Sequence, residues 1–561
     1  MNILFIYPNT QGYPRVPHGQ NIIMVMLEHA GHNIELFDTT FLFTDRNMVD
    51  DEKELVGIVK PGSVSFTQKY FKKHSPEEID DLLREKISKF DPDLIAFGIL
   101  EDNYEYSDRL MGVIKAMGNI PILAGGTTPT VAPRVLAENP NIDWVMQGEA
   151  ESPMLDFITR MDAKRSVNDC PGLVYEKDGE IITNPMGGFT DLDDIPYQEF
   201  HHWGDGHLVK GYDGKVMRAG YIEMSRGCML KCSFCVNVTY QELMEDSGYF
   251  YRKKSIDNVI NEAKAQIASN DVEMFFFCDD NFLSVSSARL KEFSKRWAKE
   301  IDKPFWINTT VESLHAEEKV KTLRSSGCHG IGIGLETGSE IMRSVCLHKF
   351  TKNDKIRSIF NALKRNNFRT TANIILGFPG ETFEDVYHSV RFVREIEADT
   401  WNAKFLSPYY ATPIYYIARN LGYIDVYEDR PGFNGFAKRI GFGRSAGPPI
   451  RTWEETRFPV MTKEEMIDTY MNFSNYVLGK LPFPSKGVPN GKKSESYESL
   501  GPAKTLVIKE YHKENLLPRK LINKYASELG VTASVDNLSR SEKKRSEGYK
   551  KSQPQLSSVS A

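Results

Sequence analysis

Short apolar runs alternate with amphipathic stretches twice along this chain, which limits it to parallel β-sheets covered by helices. In the first series, residues 2–7, 33–37, 93–99, 120–124 and 143–146 read as strands and 21–30, 104–117, 132–138 and 152–161 as helices. Strands buried on both faces between helices predict a doubly wound, Rossmann-like sheet, which binds ligands at the carboxyl ends of its strands. A charged and aromatic insertion at 44–89 is expected to add a helix or two. In the second series, strands at 221–225, 273–278, 305–309, 330–334, 371–376 and 400–405 alternate with helices at 257–268, 288–299, 316–325, 352–366 and 383–395. Six β/α units in a row predict a partial (β/α)6 barrel with its reactive groups on the loops after the strands. The expected α/β chain therefore divides into a first domain (1–165), a Gly-, Pro- and Asp-rich linker with small hairpins (166–216), a barrel (217–408), a mostly helical extension closing the barrel (409–481) and a polar, partly disordered tail (482–561). One helix, 516–529, is expected in the tail.

Composition narrows the function. Lys plus Arg number 70 against 76 Asp plus Glu, a formal charge of −6, so nothing in the overall balance favours nucleic acid. No apolar run approaches the roughly 18 residues of a membrane span, and the opening Met-Asn-Ile-Leu-Phe-Ile is not a basic targeting segment. A soluble, cytoplasmic protein with a small-molecule substrate is expected. Of the seven cysteines, Cys228, Cys232 and Cys235 are crowded into one loop, which suggests ligation in a reducing compartment rather than disulfides.

That loop, Arg226-Gly-Cys-Met-Leu-Lys-Cys-Ser-Phe-Cys-Val236, follows the first predicted barrel strand. A structural zinc site needs four ligands, commonly two close pairs, and no second pair follows. Three thiolates suit a cubane iron–sulfur cluster, which usually has four cysteine ligands, and leave one iron open. The spacing resembles the signature of the radical S-adenosylmethionine (SAM) superfamily. The resemblance implies a [4Fe–4S] cluster on Cys228, Cys232 and Cys235, SAM chelated by the open iron, and one-electron cleavage of SAM to a 5′-deoxyadenosyl radical. The electron is expected from a flavodoxin or ferredoxin. It further implies that Phe234 contacts the adenine and that Asp279 or Asp280, in Phe277-Cys-Asp-Asp-Asn-Phe282, accepts from the SAM amine, unless one merely caps the next helix. Glu336, in Gly332-Ile-Gly-Leu-Glu-Thr-Gly338, would reach the ribose or methionyl portion, and Gly377, in Ile375-Leu-Gly-Phe-Pro-Gly-Glu381, would flank the adenine. Where many relatives carry an arginine this chain has Thr309-Thr-Val-Glu312, which makes Lys349 and Arg343 the candidate partners of the SAM carboxylate. Cys170, Cys278, Cys328 and Cys346 are scattered singly and are expected to be small buried hydrophobes.

A doubly wound domain ahead of such a barrel resembles the cobalamin-binding domain of B12-dependent radical SAM enzymes. By that resemblance the loop Leu100-Glu101-Asp102-Asn103-Tyr104 lies under the corrin, and the turn Gly125-Gly126-Thr127-Thr128-Pro129 accommodates the nucleotide tail, since glycine lets backbone approach a bulky ligand. The Asp-x-His-x-x-Gly motif, whose histidine ligates cobalt, has no counterpart after the first strand, because no aspartate stands two residues before His18. Base-off cobalamin without a histidine ligand is therefore expected. A dinucleotide is disfavoured by the absence of Gly-x-Gly-x-x-Gly there.

Together these features imply a cobalamin-dependent radical SAM enzyme, expected to methylate an unactivated carbon or a phosphinate phosphorus. The alternative is oxidation, cyclisation or rearrangement without methyl transfer. A methylthiolating enzyme is disfavoured because the first domain lacks three further cysteines for a second cluster. Tyr409, Tyr410, Tyr415, Tyr416 and Trp453 would supply aromatic surface near the substrate, or core. Replacing Cys228, Cys232 or Cys235 by Ala is expected to abolish the cluster's visible absorbance and all SAM cleavage, whereas Cys278→Ala, Cys328→Ala and Cys346→Ala keep both. Iron and sulfide analysis after anaerobic reconstitution checks this, and a full iron complement in any of the first three would sink the assignment.

Overall fold

The structure, a computed structural model, describes residues 1–9, 14–42, 68–212, 215–314, 317–340, 342–420 and 463–482. Residues 44–67 of the expected insertion, Trp453 with most of the extension, and the tail with its helix at 516–529 lie outside the described residues.

The first sheet is built from β1 (Asn2–Tyr7), β2 (Asn33–Asp38), β3 (Leu94–Gly98), β4 (Ile122–Gly125) and β5 (Trp144–Met146), parallel in the order β2-β1-β3-β4-β5. The order reverses at β1, a switch point that opens a crevice at the carboxyl ends of β1 and β3. Helices α1 (His18–His29), α2 (Pro76–Phe90), α3 (Tyr104–Met117), α4 (Thr127–Val131), α5 (Pro133–Ala137) and α6 (Glu151–Asp162) accompany it. Helix α2, in the expected insertion, starts where its sequence demands. Ser75 Oγ accepts from Glu78 N at 3.2 Å, Ser75 N donates to Glu78 Oε2 at 2.7 Å, and Pro76 occupies the first turn. Ile79, Leu83 and Ile87, spaced one turn apart, are its buried stripe. The helix expected at 132–138 is present as α5, and a further short helix that the pattern did not announce, α4, precedes it. Pro133 drives the preceding Ala132 out of the helical region, to φ −134° and ψ 49°.

Part of the expected linker extends this sheet. β6 (Leu173–Lys177) and β7 (Glu180–Thr183) add to β5 as an antiparallel hairpin. Its two-residue turn, Asp178-Gly179, has φ of 53° and 81°, the left-handed pair that matches the strands' twist.

The second sheet begins with β8 (Val209–Tyr212), antiparallel to β9 (Lys215–Ile222). The chain then leaves the sheet, and β10 (Ser225–Arg226) pairs with β11 (Arg252–Lys253) on either side of helix α7 (Val236–Leu243). Strands β12 (Met274–Phe277), β13 (Phe305–Thr310), β14 (Cys328–Glu336), β15 (Arg369–Leu376) and β16 (Thr400–Phe405) follow, all parallel to β9, in the order β16-β15-β14-β13-β12-β9-β8. The sheet curls into a half-barrel. Its helices are α8 (Ile256–Asn270), α9 (Ser287–Glu300), α10 (Glu317–Ser325), α11 (Asn353–Arg365) and α12 (Phe383–Glu395). The first barrel strand thus ends three residues earlier than the sequence pattern predicts, because beyond Ile222 the backbone is held by side chains of the neighbouring strand's loop.

An open half-barrel leaves β16 as an edge, which invites non-native pairing unless covered. Helix α14 (Lys463–Val477) packs on β16 and α12, with Tyr470 against Phe405 at a ring distance of 4.5 Å and Trp401 Nε1 donating to Ser474 Oγ at 3.1 Å. Helix α13 (Pro413–Asn420) goes elsewhere. Tyr410, Tyr415 and Tyr416, expected near the substrate or in core, are buried in the core that contains Leu4, Ile95 and Ile122 of the first sheet. The extension therefore joins the two sheets. No helix among the described residues is long and apolar enough to cross a membrane.

Between the barrel sheet and its helices, Trp297 is fully buried among Phe275, Phe277, Phe293 and Phe305, with ring centroids 5.2–5.3 Å away. Trp297→Ala is expected to cost about 3–5 kcal/mol, the usual range for deleting a buried aromatic from a packed core. Urea unfolding followed by far-UV circular dichroism measures it, and a loss below about 1 kcal/mol would show that this cluster does not hold the half-barrel together.

Candidate active site

The cysteine loop is fixed from several directions. Gly227 has φ +88°, and a Cβ there would stand 2.5 Å from the carbonyl of Phe250, so glycine is required at the bend. At the end of β12, Asp279 accepts from Met224 N at 3.0 Å and Ser225 Oγ at 2.5 Å, and Asp280 accepts from Gly227 N at 3.0 Å. Gln241 of α7 donates Nε2 to the carbonyls of Cys228 at 2.6 Å and Leu230 at 3.2 Å. Ser233 Oγ bonds the carbonyl of Cys346, and Cys235 starts α7. These contacts from the protein's own groups hold the loop backbone on several sides.

Cys228 and Cys232 are buried and Cys235 half-buried. Burial pushes all three thiols up, Cys235 to about 11 and Cys232 to about 12, although Lys349 pulls the latter down. Such sulfurs are neutral thiols at neutral pH unless a bound cation holds them as thiolates. Three converging soft donors fit the chemistry of iron ligation.

Around them stand groups that the sequence reading named, though not all in the expected roles. Both Asp279 oxygens are spent on the backbone and hydroxyl before the loop, and burial raises its carboxyl to about 7. Asp279 positions the loop, whereas Asp280 faces Cys228 and Cys235. Glu336 sits at a bulge in β14 where the register to β15 shifts, with φ +67°, a conformation costly for a non-glycine residue. The bulge brings it to Lys349, whose Nζ donates to Glu336 Oε1 at 3.0 Å and to the carbonyl of Gly334 at 2.6 Å. Burial opposes the Lys349 charge, but Glu336, Glu312 and Cys232 outweigh it and hold the pKa above the usual lysine range. Arg343 is a different case. Fully buried, it donates to the carbonyls of Thr337 at 2.6 Å and Thr351 at 2.9 Å, so of the two candidate carboxylate partners only Lys349 borders the cysteines. Phe234 packs near Phe378 of the β15 loop, ring centroids 6.4 Å apart, which brings together two motifs expected to flank an adenine. Gly377, φ +88°, donates its N–H to Glu381 Oε2 at 2.5 Å.

The Thr309-Thr310 departure is filled by a polar cluster that sequence reasoning missed. Asn281 accepts from Thr309 Oγ1 at 2.8 Å, donates to Ser313 Oγ at 3.0 Å, and also reaches the Cys228 thiol. Its position after the Asp-Asp pair was visible, but its partners on β13 were not.

The first sheet meets this loop at its carboxyl edge. Arg226, two residues before Cys228, donates to Glu223 at 2.8 Å and Glu151 at 2.6 Å and pairs with Glu149 at 3.3 Å; Arg252 also binds Glu149, at 3.0 Å. Burial alone would raise the Glu223 carboxyl, but Arg226 and His18 reverse that and hold it well below the usual range. His18 faces Glu223 through Nε2 at 3.4 Å and Gln198 through Nδ1 at 3.3 Å, so both ring nitrogens are turned toward protein groups. Tyr240 of α7 reaches Thr127 and Thr130 beside the Gly125-Gly126 turn. Thr128 is buried, with its N–H on the carbonyl of Ile99 at 3.2 Å. Leu100 is 48% exposed on the third strand's loop, free to present an apolar surface. Glu101 is buried instead, accepting from Tyr410 N at 2.9 Å, and Asp102 accepts from Tyr409 Oη at 3.2 Å. Those two acids tie the extension to the first sheet.

Two expectations change. Cys278 is exposed, not buried, because it stands just past the end of β12 on the side that meets His18 and Tyr221, while Cys170, Cys328 and Cys346 are buried as expected. The reason for glycine at 126 also differs. A Cβ on Gly126 would meet the backbone of Ile99 at 3.1 Å, and φ is +112°, whereas a Cβ on Gly125 meets nothing within 4 Å. Gly125 faces open space and Gly126 serves the turn.

Comparison with known proteins adds three findings. The model of the radical SAM superfamily matches residues 222–393, and that of the B12 binding domain matches 65–158. An uncharacterized methyltransferase of Pyrococcus horikoshii is 25% identical over 340 residues, covering 60% of this chain and 72% of that one. An anaerobic magnesium-protoporphyrin IX monomethyl ester cyclase of Rubrivivax gelatinosus is 25% identical over 389 residues, 66% of this chain and 68% of that one. Among solved structures, the radical SAM methyltransferase TsrM of Kitasatospora setae, with cobalamin and a [4Fe–4S] cluster bound, superposes with a TM-score of 0.56 at 17% identity, covering 76% of this chain and 79% of that one.

Gly125→Val is expected to weaken cobalamin binding at least tenfold with unchanged thermal stability, whereas Gly126→Val lowers the melting temperature. Cobalamin titration and calorimetry on both variants check this. Equal cobalamin affinity in Gly125→Val and the parent would remove the turn from the binding site.

Proposed function

From the premise that this chain belongs to the radical SAM superfamily and carries a B12-binding domain ahead of its barrel, we propose that it is a methyltransferase acting on an unactivated carbon, or a phosphinate phosphorus, of a small molecule. The observation that carries this reading is the Arg226 network, which ties the segment after β5, at the carboxyl edge of the first sheet, to the residues just before the cysteine loop and so supports neighbouring cofactor sites. A methyl carrier and a radical source acting on one substrate need that adjacency.

When bound, the [4Fe–4S] cluster supplies the electron that cleaves SAM, and cobalamin supplies the methyl carrier. The chain does the rest. Cys228, Cys232 and Cys235 would hold the cluster as three thiolate ligands, with a flavodoxin or ferredoxin as the proposed electron donor. The Lys349 ammonium, fixed by Gly334 and Glu336, offers the charge that a carboxylate needs beside Cys232. Asp280 is the better acceptor for an amine, since Asp279 is already occupied. Phe234 and the Gly377–Phe378 backbone flank a planar base. Leu100, Gly125 and Thr127 offer the corrin and its tail a surface at the sheet edge. The buried tyrosines of the extension keep water from the joint between the two sheets.

The cyclase relative supports a second reading, ring closure without methyl transfer, on the same constellation. Anaerobic turnover with SAM carrying a trideuteromethyl group separates the two. The proposed activity transfers the label to product and forms S-adenosylhomocysteine. Formation of 5′-deoxyadenosine with an unlabelled, oxidised or cyclised product would overturn methyl transfer and leave the radical SAM assignment standing.

A further inference from the structure

We propose that Glu28, His201 and His202 form a binding site for one divalent transition-metal ion of the zinc type, separate from both cofactor sites. Three donors converge there from two segments. Glu28 lies near the end of α1, and the histidines stand in the stretch between β7 and β8. His201 Nε2 is 2.9 Å from Glu28 Oε2, His202 Nε2 is 3.4 Å from the same oxygen, and one ligand atom of each residue lies within 4.8 Å of the others. Ligands about 2.0–2.1 Å from a tetrahedral zinc stand about 3.3 Å apart, close to both histidine–Glu28 separations, and side-chain rotation of the exposed His201 would adjust the third.

The state of these groups also favours a cation. His202 is 11% exposed, and its buried Nε2 faces the Glu28 carboxylate at 3.4 Å, a long contact. A metal ion between the two would give each a full-strength partner. Behind His201, Nδ1 lies 3.7 Å from Glu199 Oε2, and the other Glu199 oxygen is held by His29 Nε2 at 2.9 Å. A carboxylate behind the far nitrogen of a ligating imidazole fixes its tautomer and raises its basicity. The segment is already seated on α1, since Trp203 Nε1 donates to Asn21 Oδ1 at 2.7 Å and Asn21 also bonds Gln198. Two imidazoles and one carboxylate suit zinc with a fourth position open to water, whereas calcium and magnesium prefer oxygen alone. The ion would pin the segment entering the barrel to the first helix of the first sheet.

The test is zinc stoichiometry on the cluster- and cobalamin-loaded protein, equilibrated with zinc and freed of unbound metal. The parent is expected to retain one zinc more per chain than His201→Ala or Glu28→Gln, with equal iron in all three, and to gain a zinc-dependent rise in melting temperature that both variants lack. His201 is 47% exposed and Glu28 half-buried, so neither change empties a core. Glu199→Gln should keep the site and weaken it about 10- to 100-fold, as loss of a supporting carboxylate does. Equal zinc in the parent and both variants, or no zinc in the parent, would overturn the proposal.

Discussion

A guanidinium with three carboxylates around it stands at the joint between the two halves of this molecule. Arg226, in β10 one residue before the bend at Gly227, binds Glu223 just beyond the end of β9 and two carboxylates of the first domain that follow β5, Glu149 and Glu151. Removing charges from water is costly unless every one is paired. Each carboxylate of the set has a cationic partner, and the set joins the strand end before the three cysteines to the first sheet's carboxyl edge. Glu101 and the buried tyrosines repeat the same joint on the other side through the extension.

Around the loop, acidic side chains do more positioning than their sequence suggests. Asp279 replaces ladder hydrogen bonds where β9 stops, and Asp280 holds the next amide. A strand-end carboxylate has two choices, a ligand or an orphan backbone donor, and an unpaired buried N–H is expensive enough to claim it. Lys349 shows the converse. Its charge is kept in a buried place by Glu336, whose unusual backbone at the β14 bulge is what aims it.

Much of this was legible in the sequence. Apolar runs marked both parallel sheets, the strands at 2–7 and 400–405 arriving with the bounds the pattern predicts. The loop of three cysteines and the glycine-rich strand ends announced the radical SAM and B12-binding architecture, because such chemistry restricts which residues may stand close together. Periodicity failed where a local rule or a distant partner prevailed. Asp279 ended a strand early, and the Asp178-Gly179 turn brought part of the linker into the sheet.

The sequence by itself determined the two β/α units, their order and the donor set of the cofactor loop, since these depend on the spacing of nearby residues. Only the tertiary structure decided which charged groups remain available. Glu101, Asp279 and Arg343 looked like ligand contacts and are engaged by backbone groups and neighbouring side chains, Cys278 is exposed, and Gly125 rather than Gly126 faces open space. The reason is that a polar side chain's role is set by whichever unsatisfied partner folding brings beside it, and those partners come from residues far away in the chain.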